Sequence, residues 1–207
     1  MARNCSILAK NDGTEAAMTE NKLILVTGGA RSGKSRFAEE LANQFGQPVT
    51  YIATAQIYDT EMQERVSLHR ARRPEQWITV EAPFDAAERL REAGRVTPVV
   101  LLDCLTLFVT NHLLRETPPD DAAGDKQRKQ RERVWTAVEE LVSAAKSVPA
   151  CVLVVTNEVG WGIVPDNVLS RLFRDVAGLA NQRLAAAADD VYMLVSGLPL
   201  RLKSLKH

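Results

Sequence analysis

Short, continuously apolar segments alternate with helical patterns along most of the chain, and this alternation constrains the fold more than any other feature. The segments are rich in Val, Ile and Leu, and several lack the polar alternation that would give a strand one solvated face. Such strands belong in a mostly parallel sheet that helices cover on both faces. The predicted strands are residues 22–27, 49–54, 98–103, 151–157, 191–196 and 198–203.

Helical patterns fill the intervals between these strands. Asp85 with Glu88 three residues later has the spacing of a capping box. The polar stretch 115–133 is expected to be a surface loop that leads into a charged helix, which becomes amphipathic from Val134 onwards. The other predicted helices cover residues 34–45, 59–72, 85–93 and 167–187.

Composition excludes several classes of protein. Lys plus Arg equals Asp plus Glu at 26 each, which does not favour a nucleic-acid or membrane-surface binder. No segment approaches the roughly 18 consecutive apolar residues of a membrane span, so we expect no membrane insertion. Cys5, Cys104 and Cys151 lack paired or metal-like spacing, which indicates a reducing compartment. We therefore predict a cytoplasmic protein.

A glycine-rich sequence follows the first strand and precedes the first helix. Gly28, Gly33, Lys34 and Ser35 match G-x-x-x-x-G-K-[ST] in the context that this motif requires. Glycines let backbone N–H groups turn toward phosphates, the lysine reaches the β and γ phosphates, and the serine hydroxyl can bind Mg²⁺. The alternative is an ordinary glycine-rich turn between a strand and a helix.

Two acidic residues follow other predicted strands. Asp103 ends the strand 98–103, where a phosphate loop usually finds its second magnesium-binding group. It could instead cap the following helix. Glu158 follows the strand 151–157 and could orient a substrate hydroxyl or the metal, or could structure its own loop.

The fold class follows from these elements. We predict an α/β P-loop NTPase (RecA-like) three-layer fold with a mostly parallel central sheet. The sequence SGLP before the last strand indicates a tight turn, which makes that strand the antiparallel edge of a C-terminal hairpin. Residues 22–207 are predicted to form a single domain, and residues 1–21 a loose N-terminal extension.

A histidine within a basic segment narrows the chemistry. His69 lies in the predicted helix 59–72, with Arg65 one turn before it and Arg73 one turn after it. Neighbouring cations favour the neutral imidazole, which is the nucleophilic form, and the guanidinium groups can bind phosphate oxygens. The alternative is a solvated basic helix end with an incidental histidine.

Three longer stretches together resemble one enzyme family. They are GGARSGKS, the segment YIATAQIYDTEMQERVSLHRARRP, and TNEVGWGIVP with the helix after it. Between residues 22 and 203 the chain resembles the bifunctional adenosylcobinamide kinase/adenosylcobinamide-phosphate guanylyltransferase family of cobalamin biosynthesis. The resemblance implies phosphorylation of adenosylcobinamide by ATP or GTP. It then implies transfer of GMP from GTP to adenosylcobinamide phosphate through a guanylyl-histidine.

The resemblance also implies site residues, with His69 as nucleophile and Lys34 as the second catalytic residue. Mg²⁺ is expected to bind at Ser35 and Asp103. The expected assembly is a homo-oligomer, for which a trimer is one candidate. The family often has Lys-Asp-Gly-Arg after the histidine, whereas this chain has Arg-Ala-Arg-Arg. The implied nucleotide-binding residues are Gly28, Gly29, Ala30, Arg31, Ser32, Gly33, Lys34, Ser35, Ala53, Thr54, Ala55, Arg70, Ala71, Arg72, Arg73, Glu81 and Asp103.

Three other functions share parts of this pattern. A P-loop small-molecule kinase without guanylyl transfer needs only the glycine-rich loop and a magnesium site. A non-catalytic GTP-binding switch would carry an Asn-Lys-x-Asp guanine signature, which the chain does not show. A RecA-like DNA motor is disfavoured by the balanced charge and the few aromatic residues.

Overall fold

The computed structural model describes residues 21–56, 73–115 and 123–204. The predicted N-terminal extension up to residue 20, and the predicted helix over 59–72 from residue 59 onward, lie outside the described residues. The described strands are β1 (Leu23–Gly28), β2 (Val49–Ala53), β3 (Ile78–Glu81), β4 (Val99–Asp103), β5 (Cys151–Val155), β6 (Asp190–Val195) and β7 (Leu198–Ser204). The described helices are α1 (Lys34–Phe45), α2 (Ala86–Val96), α3 (Leu105–Leu114), α4 (Ala123–Ser147) and α5 (Val168–Ala187).

The strands form one sheet in the order β3-β2-β4-β5-β1-β6-β7. All neighbouring pairs are parallel except β6 and β7, which pair antiparallel at one edge. The predicted mostly parallel sheet and C-terminal edge hairpin are therefore confirmed. Strand β3, at the opposite edge, was not predicted because its sequence ITVE is short and half polar, and Ile78 is 48% exposed.

Two hydrophobic cores cover the two faces of the sheet. Alternate residues of β1 point in opposite directions, as in any strand. Leu23 and Leu25 pack with helices α2 to α5, whereas Ile24 and Val26 pack with α1. All six residues of β1 are buried, which confirms that its apolar sequence belongs to a strand covered on both faces.

The observed helix ends confirm some of the predicted bounds and caps and contradict one. α1 has the predicted bounds, and α5 begins after Asn167, whose side chain accepts a 2.7 Å hydrogen bond from the Ser170 amide. The predicted capping box of α2 is wrong. Asp85 precedes α2 without a side-chain capping bond, and its carboxylate instead accepts from Arg89 Nε at 2.9 Å.

Helix α3 was not anticipated from the sequence. Its residues LTLFVTNHLL are mostly buried, so they show no alternation between an apolar and a polar face. Helix α4 confirms the predicted charged helix, since Val134, Val138 and Leu141 are among its buried positions after a mostly exposed first part.

The described cysteines, Cys104 and Cys151, are free and buried. Burial raises the pKa of both Cys104 and Cys151 to about 12, so neither thiol is a ready nucleophile. Among the described helices, none has both the length and the apolar character needed to cross a bilayer.

Candidate nucleotide-binding site

The register of the parallel strands aligns the predicted site residues at one edge of the sheet. Glu81 pairs with Ala53, Ala53 with Asp103, Asp103 with Val155, and Val155 with Val26, two residues before the end of β1. Neighbouring strands are about 4.8 Å apart, so Asp103 lies two strand spacings, or about 10 Å, from β1. Residues far apart in sequence thus meet where open α/β sheets bind ligands.

The glycine-rich loop adopts a conformation that requires its glycines. Gly28 has φ 147° and Gly33 has φ 96°, and both values are unfavourable for residues with a side chain. A Cβ atom on Gly28 would lie 2.5 Å from the Leu194 carbonyl oxygen, and one on Gly33 would lie 3.3 Å from Gly197 Cα. The loop therefore packs its backbone directly against β6 and the turn that follows it.

Backbone hydrogen bonds fix the loop from both sides. The Glu158 amide donates to the Gly28 carbonyl at 3.0 Å, and the Gly197 amide donates to the Ser32 carbonyl at 2.9 Å. The segment after β5 and the β6–β7 turn are thus the two supports of residues 28–35. A fixed loop is what a phosphate cradle requires, because its amides must already face the ligand.

Lys34 is the first residue of α1 and is largely buried at the base of this loop. Its Nζ donates a 2.6 Å hydrogen bond to the Gly29 carbonyl. Burial lowers the pKa of Lys34, and the neighbouring Cys104 and Asp103 act in the opposite direction. The first turn of α1 has no acidic residue, so the positive potential of the helix N-terminus adds to that of the lysine.

Asp103 does not cap the helix after it, so that alternative is wrong. The residue that precedes α3 is Cys104, and no side-chain capping bond is made there. Instead, Asp103 Oδ2 accepts a 3.0 Å hydrogen bond from the Tyr51 hydroxyl. Burial raises the pKa of Tyr51 well above its usual value, and the charge of Asp103 adds to this effect. Tyr51 therefore remains protonated and remains a donor.

The oxygen donors at this edge fit magnesium. The Ser35 hydroxyl and the Asp103 carboxylate are both partly exposed, and hard oxygen ligands of this kind suit Mg²⁺, which usually takes only one or two of them from the protein. Within the described ranges no group of three or more His, Cys, Asp or Glu side chains could hold a metal alone. A bound cation would therefore depend on phosphate oxygens and water for its remaining ligands.

Residues 53–55 continue from β2 at the same edge. The Thr54 side chain is fully buried, where its hydroxyl donates to the Cys104 carbonyl at 2.7 Å and accepts from the Cys104 amide at 2.8 Å. Asn111 of α3 donates to the Thr54 carbonyl at 2.8 Å. Thr54 therefore joins the ends of β2 and β4, while Ala53 and Ala55 remain partly exposed.

Arg73 and Glu81 lie at the β3 end of this edge. The Arg73 guanidinium carbon is 3.3 Å from the centre of the Tyr51 ring, and its Nη1 donates to Thr79 Oγ1 at 3.4 Å. Glu81 ends β3 with an exposed side chain. The other predicted residues of the basic segment, His69, Arg70, Ala71 and Arg72, lie outside the described residues.

A buried polar network holds the segment after β5. Thr156 Oγ1 donates to Asn181 Oδ1 at 2.7 Å, and Asn181 donates back to the Asn157 carbonyl at 3.1 Å. The Asn157 amide donates to Thr106 Oγ1 at 2.7 Å. Glu158 accepts from the Gly160 amide at 3.3 Å, which agrees with a loop-structuring role for its carboxylate.

Three residues that shape the site were not predicted from the sequence. Tyr51 holds Asp103, Asn111 holds Thr54, and Asn181 holds the segment before Glu158. Tyr51 and Asn181 are polar residues in a predicted strand and a predicted helix, whereas Asn111 lies in α3, which was not predicted. An isolated polar side chain in a buried element must find a hydrogen-bond partner, and that was the available signal.

Comparisons with known proteins show the family of this chain. The family described as cobinamide kinase / cobinamide phosphate guanyltransferase matches residues 24–202. The bifunctional adenosylcobalamin biosynthesis protein CobU of Escherichia coli (strain K12) is 46% identical over 187 residues, covering 87% of this chain and 99% of that protein. The protein of the same name from Salmonella typhimurium is 44% identical over 181 residues, with coverages of 87% and 99%.

A further relative and a solved structure complete the comparison. The bifunctional adenosylcobalamin biosynthesis protein CobP of Pseudomonas aeruginosa is 44% identical over 179 residues, covering 86% of this chain and 96% of that protein. Flagellar accessory protein FlaH from Methanocaldococcus jannaschii aligns with 13% identity and a TM-score of 0.47, covering 89% of this chain and 79% of that one. Because the family match spans most of the sequence and includes the phosphate loop, the chain belongs to the cobinamide kinase / cobinamide phosphate guanyltransferase family.

Proposed function

We propose that this protein phosphorylates adenosylcobinamide with ATP or GTP and then transfers GMP from GTP to adenosylcobinamide phosphate, giving adenosylcobinamide-GDP. The observation that carries the proposal is the family match over residues 24–202. The relatives named as bifunctional proteins favour this function over a kinase without guanylyl transfer and over a non-catalytic switch.

The kinase step is proposed to use the phosphate loop. The substrate hydroxyl attacks the γ phosphorus, and the bond from that phosphorus to the β–γ bridging oxygen breaks. The amides of residues 28–35 bind the phosphate oxygens, and Lys34 offsets the negative charge that moves onto the leaving diphosphate. Lys34 already lies inside the loop, hydrogen-bonded to Gly29, so it needs little rearrangement to reach a phosphate.

Magnesium is proposed to bind at Ser35 and Asp103. When bound, the ion neutralises phosphate charge and orients the triphosphate for in-line transfer. The protein supplies one hydroxyl and one carboxylate, in agreement with the oxygen donors at this edge of the sheet. Asp103 is held in place by Tyr51, so its carboxylate is oriented before a nucleotide arrives.

The guanylyl transfer step is proposed to use His69. Its neutral imidazole attacks the α phosphorus of GTP and pyrophosphate leaves, which forms a phosphoramidate. The phosphate of the corrinoid then attacks the same phosphorus and releases the histidine. The nucleotide is proposed to bind residues 70–73, Ala53, Ala55 and Glu81. This proposal is supported by Glu81, which pairs with Ala53 at the carboxyl end of β3, and by Arg73, which stacks on Tyr51 of β2.

Mass analysis after incubation with adenosylcobinamide, GTP and Mg²⁺ tests both reactions. The expected products are adenosylcobinamide phosphate, adenosylcobinamide-GDP and a protein that is heavier by one guanylyl group. Acid should release that group from the protein. A phosphorylated corrinoid without any guanylylated species would instead identify a kinase alone. Binding of GTP without any corrinoid product would identify a switch and reject the proposal.

We also propose that the protein assembles as a homo-oligomer, with a trimer as the form to test, in the cytoplasm. The edge strand β7 supports assembly, because Leu198, Leu200 and Leu202 are each more than half exposed. The buried free thiols of Cys104 and Cys151 support a reducing compartment. Light scattering coupled to size exclusion measures the mass, and a monomer at micromolar concentration would reject the assembly.

A further inference from the structure

Tyr51 touches two residues that the proposed function assigns to different tasks. Its hydroxyl lies 3.0 Å from Oδ2 of Asp103, one of the two oxygens of the proposed magnesium-binding carboxylate. The opposite contact is to Arg73, whose guanidinium carbon lies 3.3 Å from the centre of the tyrosine ring. Arg73 is the first described residue after the segment that contains His69. One side chain thus contacts both the metal site and the nucleotide-binding segment.

The environment of Tyr51 gives it one orientation. Only 3% of its surface is exposed, and its ring also packs near Trp77, with 6.4 Å between the ring centres. A buried side chain with packed neighbours has little rotamer freedom, so its hydroxyl remains aimed at Asp103. Tyrosine chemistry adds a direction to the contact, because the protonated hydroxyl donates and the carboxylate oxygen accepts.

We propose that Tyr51 is a positioning residue that orients Asp103 for magnesium and supports Arg73 for nucleotide binding. Because the hydroxyl occupies Oδ2, Oδ1 would remain available to a metal ion held by this carboxylate. The flat ring is the surface on which the Arg73 guanidinium stacks, in the position from which its Nη1 donates to Thr79 Oγ1. This inference rests on the proposed function, because it needs Asp103 to bind magnesium.

The substitution Tyr51→Phe removes the hydroxyl and keeps the ring. Loss of an outer partner of a metal ligand commonly weakens metal binding by about 10-fold or more. We therefore expect Tyr51→Phe to raise the Mg²⁺ concentration for half-maximal kinase rate by about 10-fold, with much of the rate restored at saturating Mg²⁺. A second readout is independent of turnover. Binding of Mn²⁺ to the complex with a non-hydrolysable GTP analogue, followed by electron paramagnetic resonance, should weaken by a similar factor.

The ring is tested separately by Tyr51→Leu. GTP binding in the presence of EDTA reports nucleotide contacts without the metal. Tyr51→Phe should bind GTP as the natural protein does under these conditions, whereas Tyr51→Leu, which no longer supports Arg73, should bind it more weakly. If Tyr51→Leu does not fold, as judged by its thermal transition, the Tyr51→Phe measurements decide the proposal alone.

Two variants give the controls. Tyr192→Phe removes a hydroxyl from another tyrosine of the same sheet, one that packs against Phe37 and Arg201 rather than Asp103. Tyr192→Phe should leave metal binding unchanged. If it weakens metal binding as much as Tyr51→Phe does, the effect is not specific to Tyr51 and the proposal is overturned. Asp103→Asn should weaken Mn²⁺ binding more than Tyr51→Phe does. If Asp103→Asn weakens metal binding and Tyr51→Phe does not, Tyr51 has no positioning role. If neither changes it, the magnesium assignment of the proposed function fails as well.

Discussion

Replacing Gly28 with alanine should destabilise the protein strongly, whereas the same change at the adjacent Gly29 should be tolerated. At Gly28 the new Cβ would lie 2.5 Å from the Leu194 carbonyl oxygen and 2.9 Å from Ser32 Oγ, and φ is 147°. Gly29 has nothing within 4 Å of an added Cβ. The pair therefore separates the demands of the backbone from a general need for small residues in this loop.

The magnitude follows from two costs. An unfavourable backbone conformation for a residue with a side chain costs about 1–3 kcal/mol. Inserting an extra methyl group against packed backbone costs about 1–3 kcal/mol more. A loss of about 4 kcal/mol would lower Tm by roughly 8–16 °C in a protein of this size. The cost is large because β6 pairs with β1 through Gly28 and Leu194, so the clash cannot be relieved by moving one side chain.

Thermal unfolding followed by circular dichroism measures this difference directly. Urea unfolding of both variants gives the free energy of unfolding independently. Equal stability of Gly28→Ala and the natural protein would refute the close packing of the loop on β6. A loss in Gly29→Ala as large as that in Gly28→Ala would refute the argument from the added Cβ.

The remaining predictions concern catalysis and acid stability. Replacing Lys34 with Met keeps most of its apolar length but removes the ammonium group, so the kinase rate should fall by orders of magnitude in a protein whose thermal transition shows it to be folded. Replacing His69 with Ala should preserve phosphorylation of adenosylcobinamide but abolish guanylylated protein and adenosylcobinamide-GDP, as read by mass spectrometry; loss of both activities would point to a shared nucleotide-binding role instead. Burial alone raises the pKa of Asp190, but ion pairs with Lys22 and Arg201 lower this pKa below the ordinary 3.8. The ionised carboxylate therefore stabilises the fold above pH 3.8, and this stabilisation is lost as the pH falls through the lowered pKa. Asp190→Asn should therefore lower the free energy of unfolding at pH 7 and reduce its decline in acid, and an unchanged urea midpoint at pH 7 would contradict this.

The sheet was predictable because its interior strands have a simple requirement. β1 and β5 are buried on both faces, and only continuous apolar sequence satisfies such a position. β3 has one neighbour and partly exposed residues, so its sequence carries no equivalent signal. Helix α3 was not predicted because it is buried on most sides, so its sequence has no polar face that would reveal the helical period.

The site was predictable where chemistry restricts residue type locally. The spacing of Gly28, Gly33 and Lys34 predicts a phosphate-binding loop, and two of these positions have the positive φ that glycine permits. The contact of Tyr51 with Asp103 joins residues 52 positions apart, and nothing in either local sequence specifies it. Such pairs depend on which strands become neighbours, and that is decided by the packing of the whole sheet.

The side of the sheet on which Asp103 lies follows from the period of its strand. Val99 and Leu101 of β4 pack in the core that α1 covers, whereas Val100 and Leu102 pack on the opposite face. Because successive side chains alternate, Asp103 continues the series of Val99 and Leu101. Its carboxylate is therefore placed on the face of α1, the helix that begins with Lys34 and Ser35. A shift of β4 by one residue would move the carboxylate to the other face, so the register that buries the apolar residues also brings the proposed metal-binding groups together.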